Sequence, residues 1–271
     1  MKKSSAFCPA YVTGIFTISD KDAAGAGFAI DMGMTTHVSE ASSGRTKILI
    51  NKSEGSATVS SAVLRRFGEI AGRMGILEIR HETEIPIGFG LGMSAAGALS
   101  LSLALNEMLG LGLPLEKCVN ISHDSEVECG TGLSGVDAAA AGGMLMRASV
   151  SGPPERLPFS DQAVEFAFYT PIRTSTVIRS EEWKGKVNAA GEKALQALSK
   201  NKGWDGFVAS SRQFAAKAEL AAWCENEMKG NPRASMAMLG HTLFSDEKLM
   251  LPKNPFKLLS AKTSEEGARA L

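Results

Sequence analysis

The residues best suited to chemistry in this chain are three alternating glycines and the serine that follows them. Gly88, Gly90 and Gly92 lie in the run Pro86-Ile87-Gly88-Phe89-Gly90-Leu91-Gly92-Met93-Ser94-Ala95-Ala96. Glycine lets a backbone turn tightly and approach a ligand closely. Ala95, Ala96, Ala98, Leu99, Leu101, Leu103, Ala104 and Leu105 then favour helix. A helix start behind a glycine loop offers unpaired N–H groups and a positive dipole end, which suits a nucleotide phosphate. Two familiar phosphate loops fail on spacing. Gly92 and Gly97 are followed by Ala98 and Leu99 rather than Lys and Ser/Thr, and G-x-G-x-x-G from Gly88 meets Met93. A glycine turn alone fits equally well a plain strand–turn–helix whose glycines only permit packing.

The wider pattern Pro-x-x-x-Gly-Leu-x-x-Ser-Ala, Pro86 to Ala95, resembles the phosphate loop of the GHMP kinases, which phosphorylate small metabolites. The resemblance implies that Pro86, Gly88, Gly90, Leu91, Gly92, Met93, Ser94, Ala95 and Ala96 bind ATP. It also places Ser94 beside the magnesium and the phosphates. The family's loop carries two adjacent serines, and Met93 stands where the first would be.

Magnesium–ATP chemistry needs hard oxygen ligands and a group that orients the attacking hydroxyl. Glu126, near a helix end, and Asp137, after a second glycine loop, are candidates, and such a loop can bring both beside one metal. Taken alone, Glu126 also reads as a solvated acid and Asp137 as a helix N-cap. The resemblance extends here. Mevalonate-kinase-like members carry a Glu eleven residues before the Asp of a Pro-Ser-Gly-Ile/Val-Asp motif, and Glu126 precedes Leu133-Ser134-Gly135-Val136-Asp137 by that interval. By resemblance Glu126 and Ser94 are the magnesium ligands, and Asp137 is the base or orienting carboxylate.

Several segments resemble one branch of that family, the archaeal pantoate kinases. These are Cys8-Pro9-Ala10-Tyr11-Val12-Thr13-Gly14-Ile15-Phe16, the Gly25-Ala26-Gly27 run, and His123 to Glu126 with Gly130-Thr131-Gly132-Leu133. Tyr11 replaces the His of that branch. Asp137 lies two residues beyond the branch's usual Asp position, which here is Gly135. The branch implies phosphorylation of the primary hydroxyl of pantoate to 4-phosphopantoate, on the route to coenzyme A. An acid substrate is held best by Arg. Arg147 is the expected carboxylate clamp, with His123, one helical turn before Glu126, and Thr174 as further substrate contacts. His123 also reads as an ordinary helix-surface residue, and Arg147 as half of an ion pair. Alternatives are another GHMP kinase, of the shikimate, homoserine or mevalonate type, or a nucleotide-binding regulator without catalysis. Ala234 to Gly240 resembles the third GHMP motif, a turn behind the phosphate site, with Ser235 and Gly240 as weak candidates.

These residues need elements to hold them. The pattern predicts a strand over 6–16 and a turn over 22–28 at the mouth of the site. It predicts a strand over 47–51 and a helix over 56–73. Leu77 to Ile85 alternates as a strand, with Leu77, Ile79 and His81 on one face, so His81 reads as a strand-face residue rather than a ligand. A helix runs from Ser94 to near Gly110. Another is opened by Pro114 and closed by Gly130. Strands follow over 144–150 and 163–169, with Ser151 to Pro154 as a linker. Helices are predicted over 181–200, 204–220 and 221–229. Strands and helices do not strictly alternate, which indicates α+β rather than a doubly wound sheet. The resemblance implies the GHMP kinase fold: a ribosomal protein S5 domain 2-like N-terminal domain over 1–152 and a ferredoxin-like C-terminal domain over 153–271.

Bulk properties agree with a small-molecule enzyme. The 271 residues suffice for one or two cores. Lys plus Arg balances Asp plus Glu at 29 each, so no broad charge draws nucleic acid or an anionic membrane. Cys8, Cys118, Cys129 and Cys224 form no C-x-x-C pair and read as reduced thiols. No apolar signal core follows Met1-Lys2-Lys3, and no run reaches the roughly 20 residues of a spanning helix. The expectation is a cytoplasmic enzyme using ATP and Mg2+ on a small hydroxy acid, with a homodimer as an option.

Overall fold

A computed structural model describes residues 2–19, 23–55, 57–132, 135–172 and 180–271. Two long strands organise it. β1 (Lys3–Phe16) and β2 (Gly25–Glu40) pair antiparallel along almost their whole length, from Lys3↔Ser39 to Phe16↔Gly25. The register shifts between Pro9 and Tyr11 and between Thr13 and Ile15, so both irregularities flank the stretch that later lines the site. β3 (Lys47–Ile50), β4 (Ser53–Glu54) and β5 (Leu77–Glu82) extend the sheet beyond β2, and β3 and β5 run parallel. β6 (Met144–Arg147) pairs with the start of β2, and β7 (Glu155–Arg156) with β6.

The helices α1 (Thr58–Ala71), α2 (Met93–Leu109), α3 (Leu115–Cys129) and α4 (Gly135–Ala141) belong to this sheet's layer. α2 is apolar nearly all round, and it is buried among β1, β2, α1 and α3. Gly110 and Gly130 close α2 and α3 in the left-handed conformation, as their positions in the sequence indicate.

A second sheet has the order β11-β8-β10-β9, all antiparallel: β8 (Ala163–Thr170), β9 (Ser235–Met236), β10 (His241–Ser245) and β11 (Lys257–Lys262). α5 (Glu181–Lys200) and α6 (Trp204–Lys217) pack on each other and reach β1. A 3-10 turn (Leu220–Trp223) and α7 (Glu225–Lys229) lead to β9. The chain ends as β12 (Arg269–Ala270), back on β1 of the first sheet. Phe28 of β2 joins the layers. Its ring meets Trp204, Phe207 and Phe244 at centroid distances of 5.0, 5.6 and 5.5 Å.

Mixed sheets without strict alternation bear out the α+β expectation. Two local readings need correction. Gly25 to Phe28 are the first residues of β2, not a turn. Glycine is needed there for close strand packing: a Cβ at Gly25 would lie 2.6 Å from the Ile15 carbonyl, and one at Gly27 would overlap that of Val12. Ser151 to Pro154 is the turn between β6 and β7 rather than a linker, since Leu145↔Arg156 and Met146↔Glu155 pair on the first sheet. Ser56, Asp22, Leu133, Ser134 and Thr174 lie outside the described residues. No helix among the described residues is long and apolar enough to cross a membrane.

Candidate active site

The glycine loop is built between two fixed walls. β5 delivers the chain to it, and Asn51 pins the exit of that strand. Its Nδ2 donates to the Thr83 carbonyl at 2.9 Å, and the Thr83 N–H donates to its Oδ1 at 3.0 Å. Gly88, Gly90 and Gly92 have φ of 89°, 91° and 67°, values that side-chain-bearing residues rarely adopt. A Cβ on Gly90 would lie 2.7 Å from the Ala237 carbonyl, and one on Gly240 would overlap the Phe89 carbonyl. The turn over 234–240 therefore backs the loop directly, as the third-motif resemblance implies. On the other side, the Tyr11 N–H of β1 donates to the Leu91 carbonyl at 3.2 Å. Gly92 is the left-handed N-cap of α2, with no side-chain cap of its own, so the first-turn amides of a buried helix open beside Ser94.

Ser94 meets Glu126 across two helices. Its Oγ donates to Glu126 Oε1 at 2.5 Å, and Thr131 Oγ1 donates to the same oxygen at 2.8 Å. Glu126 is 3% exposed. Burial pushes its carboxyl above the ordinary range, while the two hydroxyls and the neighbouring His123 pull it back. His123 is half-buried, and its Nδ1 has no hydrogen-bond partner among the described residues.

One cleft collects most of these groups. One half is lined by Gly88, Gly90, Gly92, Met93, Ser94, Ala95, Glu126, Thr131 and Gly132, with Met238 and Leu239 from the backing turn. A second half is lined by Asp137, Ala138, Leu145, Arg147, Pro154 and the small residues Ala23 to Ala26. Tyr11, Thr13, Phe16, Ala23 and Gly135 line both. Asp137 stands in the first turn of α4, and Arg147 ends β6. They form an ion pair, Nη2 to Oδ2, at 3.7 Å. Glu126 and Asp137 thus border opposite halves of one cleft. Tyr11 is buried at their junction, and burial pushes its phenol well above the usual range.

Of the residues expected here, Pro86, Leu91 and Ala96 do not line the cleft: Leu91 and Ala96 are buried beneath it. His123 does not line it either, although it adjoins Glu126. Ser235 is buried, with no partner for its hydroxyl among the described residues. Sequence reasoning missed the contact from Thr131. The signal was present: Gly130 at a helix end reverses the chain and returns the next residue to the last turn.

The donor set suits magnesium. Ser94 in the first turn of α2 and Glu126 in the last turn of α3 are hard oxygen donors, and Oε2 of Glu126 takes no hydrogen bond from a described residue. Among the described residues no group of three or more His, Cys, Asp and Glu is placed to hold a metal. Magnesium does not require one, since it binds through one or two carboxylates plus substrate phosphates and water.

Comparison with known proteins agrees with this geometry. Residues 56–143 match the GHMP kinases N terminal domain. A pantoate kinase of Methanocaldococcus jannaschii is 32% identical over 270 residues, covering 92% of this chain and 97% of that one. A solved phosphotransferase related to the CoA biosynthesis pathway superposes with a TM-score of 0.82 at 22% identity, over 99% of this chain and 98% of that one. A chain solved in complex with MVAPP, AMPPCP and magnesium has the same fold, with a TM-score of 0.69 at 13% identity over 100% and 99% of the two chains. By its glycine loop, its cleft and its full-length relative, the chain belongs to the GHMP kinase family, in the pantoate kinase branch.

Proposed function

We propose that the protein is an ATP-dependent kinase that phosphorylates the primary hydroxyl of pantoate, giving 4-phosphopantoate and ADP. The observation that carries this reading is the cleft itself. A glycine loop, a helix N-terminus and the Ser94–Glu126 contact form one half, and the Asp137–Arg147 pair stands in the other. The amides of the loop and of α2 hold the phosphates. Ser94 and Glu126 hold magnesium, which supplies charge neutralisation on the phosphates when bound. Arg147 grips the acid's carboxylate, since its planar fork matches that group. The walls of Phe16, Ala24, Ala26, Leu145 and Pro154 suit a compact, branched carbon skeleton. Asp137 orients the acceptor hydroxyl and takes its proton as the new P–O bond forms and the bond to ADP breaks.

ADP release with ATP and magnesium tests the reading across pantoate, shikimate, homoserine and mevalonate. Turnover is expected with pantoate, and turnover confined to another acceptor would overturn the substrate. Glu126→Ala and Asp137→Ala are expected to abolish transfer with the fold intact. Arg147→Ala should raise KM for the acid by about thirtyfold, the equivalent of ~2 kcal/mol for a partly buried charge pair, with KM for ATP little changed. Equal effects on both substrates would rule out the carboxylate clamp.

A further inference from the structure

Among the described residues, Glu126 is held by one of its two oxygens. Both neighbouring hydroxyls, those of Ser94 and Thr131, donate to Oε1. Beside Oε2 the backbone position is Gly132, where a Cβ would lie 2.7 Å from that oxygen. Any side chain at 132 would crowd it. The end of α3 puts Thr131 in place. Gly130 turns left-handed, and the Thr131 N–H returns to the Glu126 carbonyl at 3.0 Å. The Thr131 hydroxyl has a single proton and two acceptors in reach. The carboxylate at 2.8 Å is the nearer, and the Glu126 carbonyl lies at 3.3 Å. A charged acceptor at the shorter distance takes the bond.

We propose that Thr131 is a positioning residue for the divalent cation: it clamps the inner oxygen of Glu126 so that the outer oxygen meets the cation, and Gly132 keeps that outer face clear. The inference rests on the reading of Glu126 as a magnesium ligand. Ser94 and Thr131 then have different duties. Ser94 gives its proton to Glu126 and keeps its lone pairs for the cation. Thr131 acts only through Glu126, by fixing the carboxylate's orientation. Partners of this kind are worth about 10–100-fold in metal affinity.

Mn2+ serves as the probe, its binding to the full chain with ATP followed by electron paramagnetic resonance. Thr131→Val removes the hydroxyl at nearly constant volume and should weaken Mn2+ binding by about tenfold or more. The magnesium concentration for half-maximal turnover should rise by the same factor, with KM for the acid unchanged. Thr131→Ser should recover both. Gly132→Ala, with both hydroxyls intact, should show the same Mn2+ defect. A folded Thr131→Val protein that binds Mn2+ as the wild type does would overturn the proposal. If that variant does not fold, wild-type Mn2+ binding by Gly132→Ala overturns it instead. Glu126→Gln separates the two levels. A Mn2+ defect there, with none in Thr131→Val, removes the role of Thr131 alone, whereas wild-type binding in Glu126→Gln removes the ligand reading beneath it.

Discussion

At the scale of single residues, His81 shows what burial among hydroxyl partners does to a titrating group. It sits on β5 at 2% exposure. Its Nδ1 meets Thr36 Oγ1 at 2.7 Å and its Nε2 meets Ser60 Oγ at 3.1 Å, while Thr36 also reaches Ser100 on α2 at 2.6 Å. The ring ties strand to helix as a neutral group, and burial lowers its pKa to about 4. The unfolded chain protonates the same ring near 6.5. Between those values the unfolded state binds the extra proton, so stability falls as pH drops from 6.5 toward 4. At pH 5 this group alone costs about 2 kcal/mol relative to neutral pH. Urea unfolding at pH 7.5 and pH 5 should show that loss in the wild type and its absence in His81→Gln. An identical pH dependence in both proteins would mean that His81 is not the group responsible.

At the scale of elements, the glycine loop keeps its shape because two other segments press on it. The turn over 234–240 meets it at Gly90 and Phe89, and β1 holds Leu91. Gly240→Ala should push the Phe89–Gly90 backbone away from that turn. A displacement near 1 Å at a phosphate site is worth about 100-fold in turnover. Steady-state kinetics should show that loss with helix content unchanged by circular dichroism, and near-normal turnover would show that the turn does not set the loop. These elements were unequally legible in the sequence. α3 declared both ends through Pro114 and Gly130, and α2 its far end through Gly110, because helix caps are local chemistry. The start of β2 did not, because Gly25 and Gly27 are turn-like by composition and become strand only under the packing of β1. β10 and β11 carry no local signal as plain as a cap: β11 joins the second sheet at β8, and β10 lies between β8 and β9. At the site, spacing marked only a glycine turn before a helix, which a plain strand–turn–helix fits as well, and the phosphate-loop reading with the place of Ser94 came from family resemblance. Glu126 and Asp137 were separable from ordinary acids only by family resemblance, and the Thr131 contact required knowing how α3 ends.

At the scale of the whole molecule, the cleft exists because two layers share one core. β1 carries Tyr11, Thr13 and Phe16 into both halves of the cleft, and the Met238 N–H from the backing turn donates to the Thr13 carbonyl at 2.8 Å. Asn188 of α5 clasps Ile18 just beyond β1, accepting from its N–H at 2.6 Å and donating to its carbonyl at 2.9 Å. Phe28, fully buried on the first sheet, is surrounded by Trp204 and Phe207 of α6 and Phe244 of β10. Truncating it opens a cavity between the layers rather than within one. Phe28→Ala should therefore cost about 3–5 kcal/mol and lower the melting temperature by roughly 10 °C. The chain provides its own spectroscopic division, since its three tryptophans, Trp183, Trp204 and Trp223, all lie in the later half. A cavity made on β2 should shift the fluorescence transition and the far-ultraviolet circular dichroism transition together. If the fluorescence midpoint stayed at its wild-type value while the dichroism midpoint fell, the two layers would melt separately, and the cleft would lie between independently folding parts. Coincident shifts would mean that the glycine loop and its backing turn are held in register by a single core, the condition that the roles proposed for Ser94, Glu126 and Asp137 around one phosphate require.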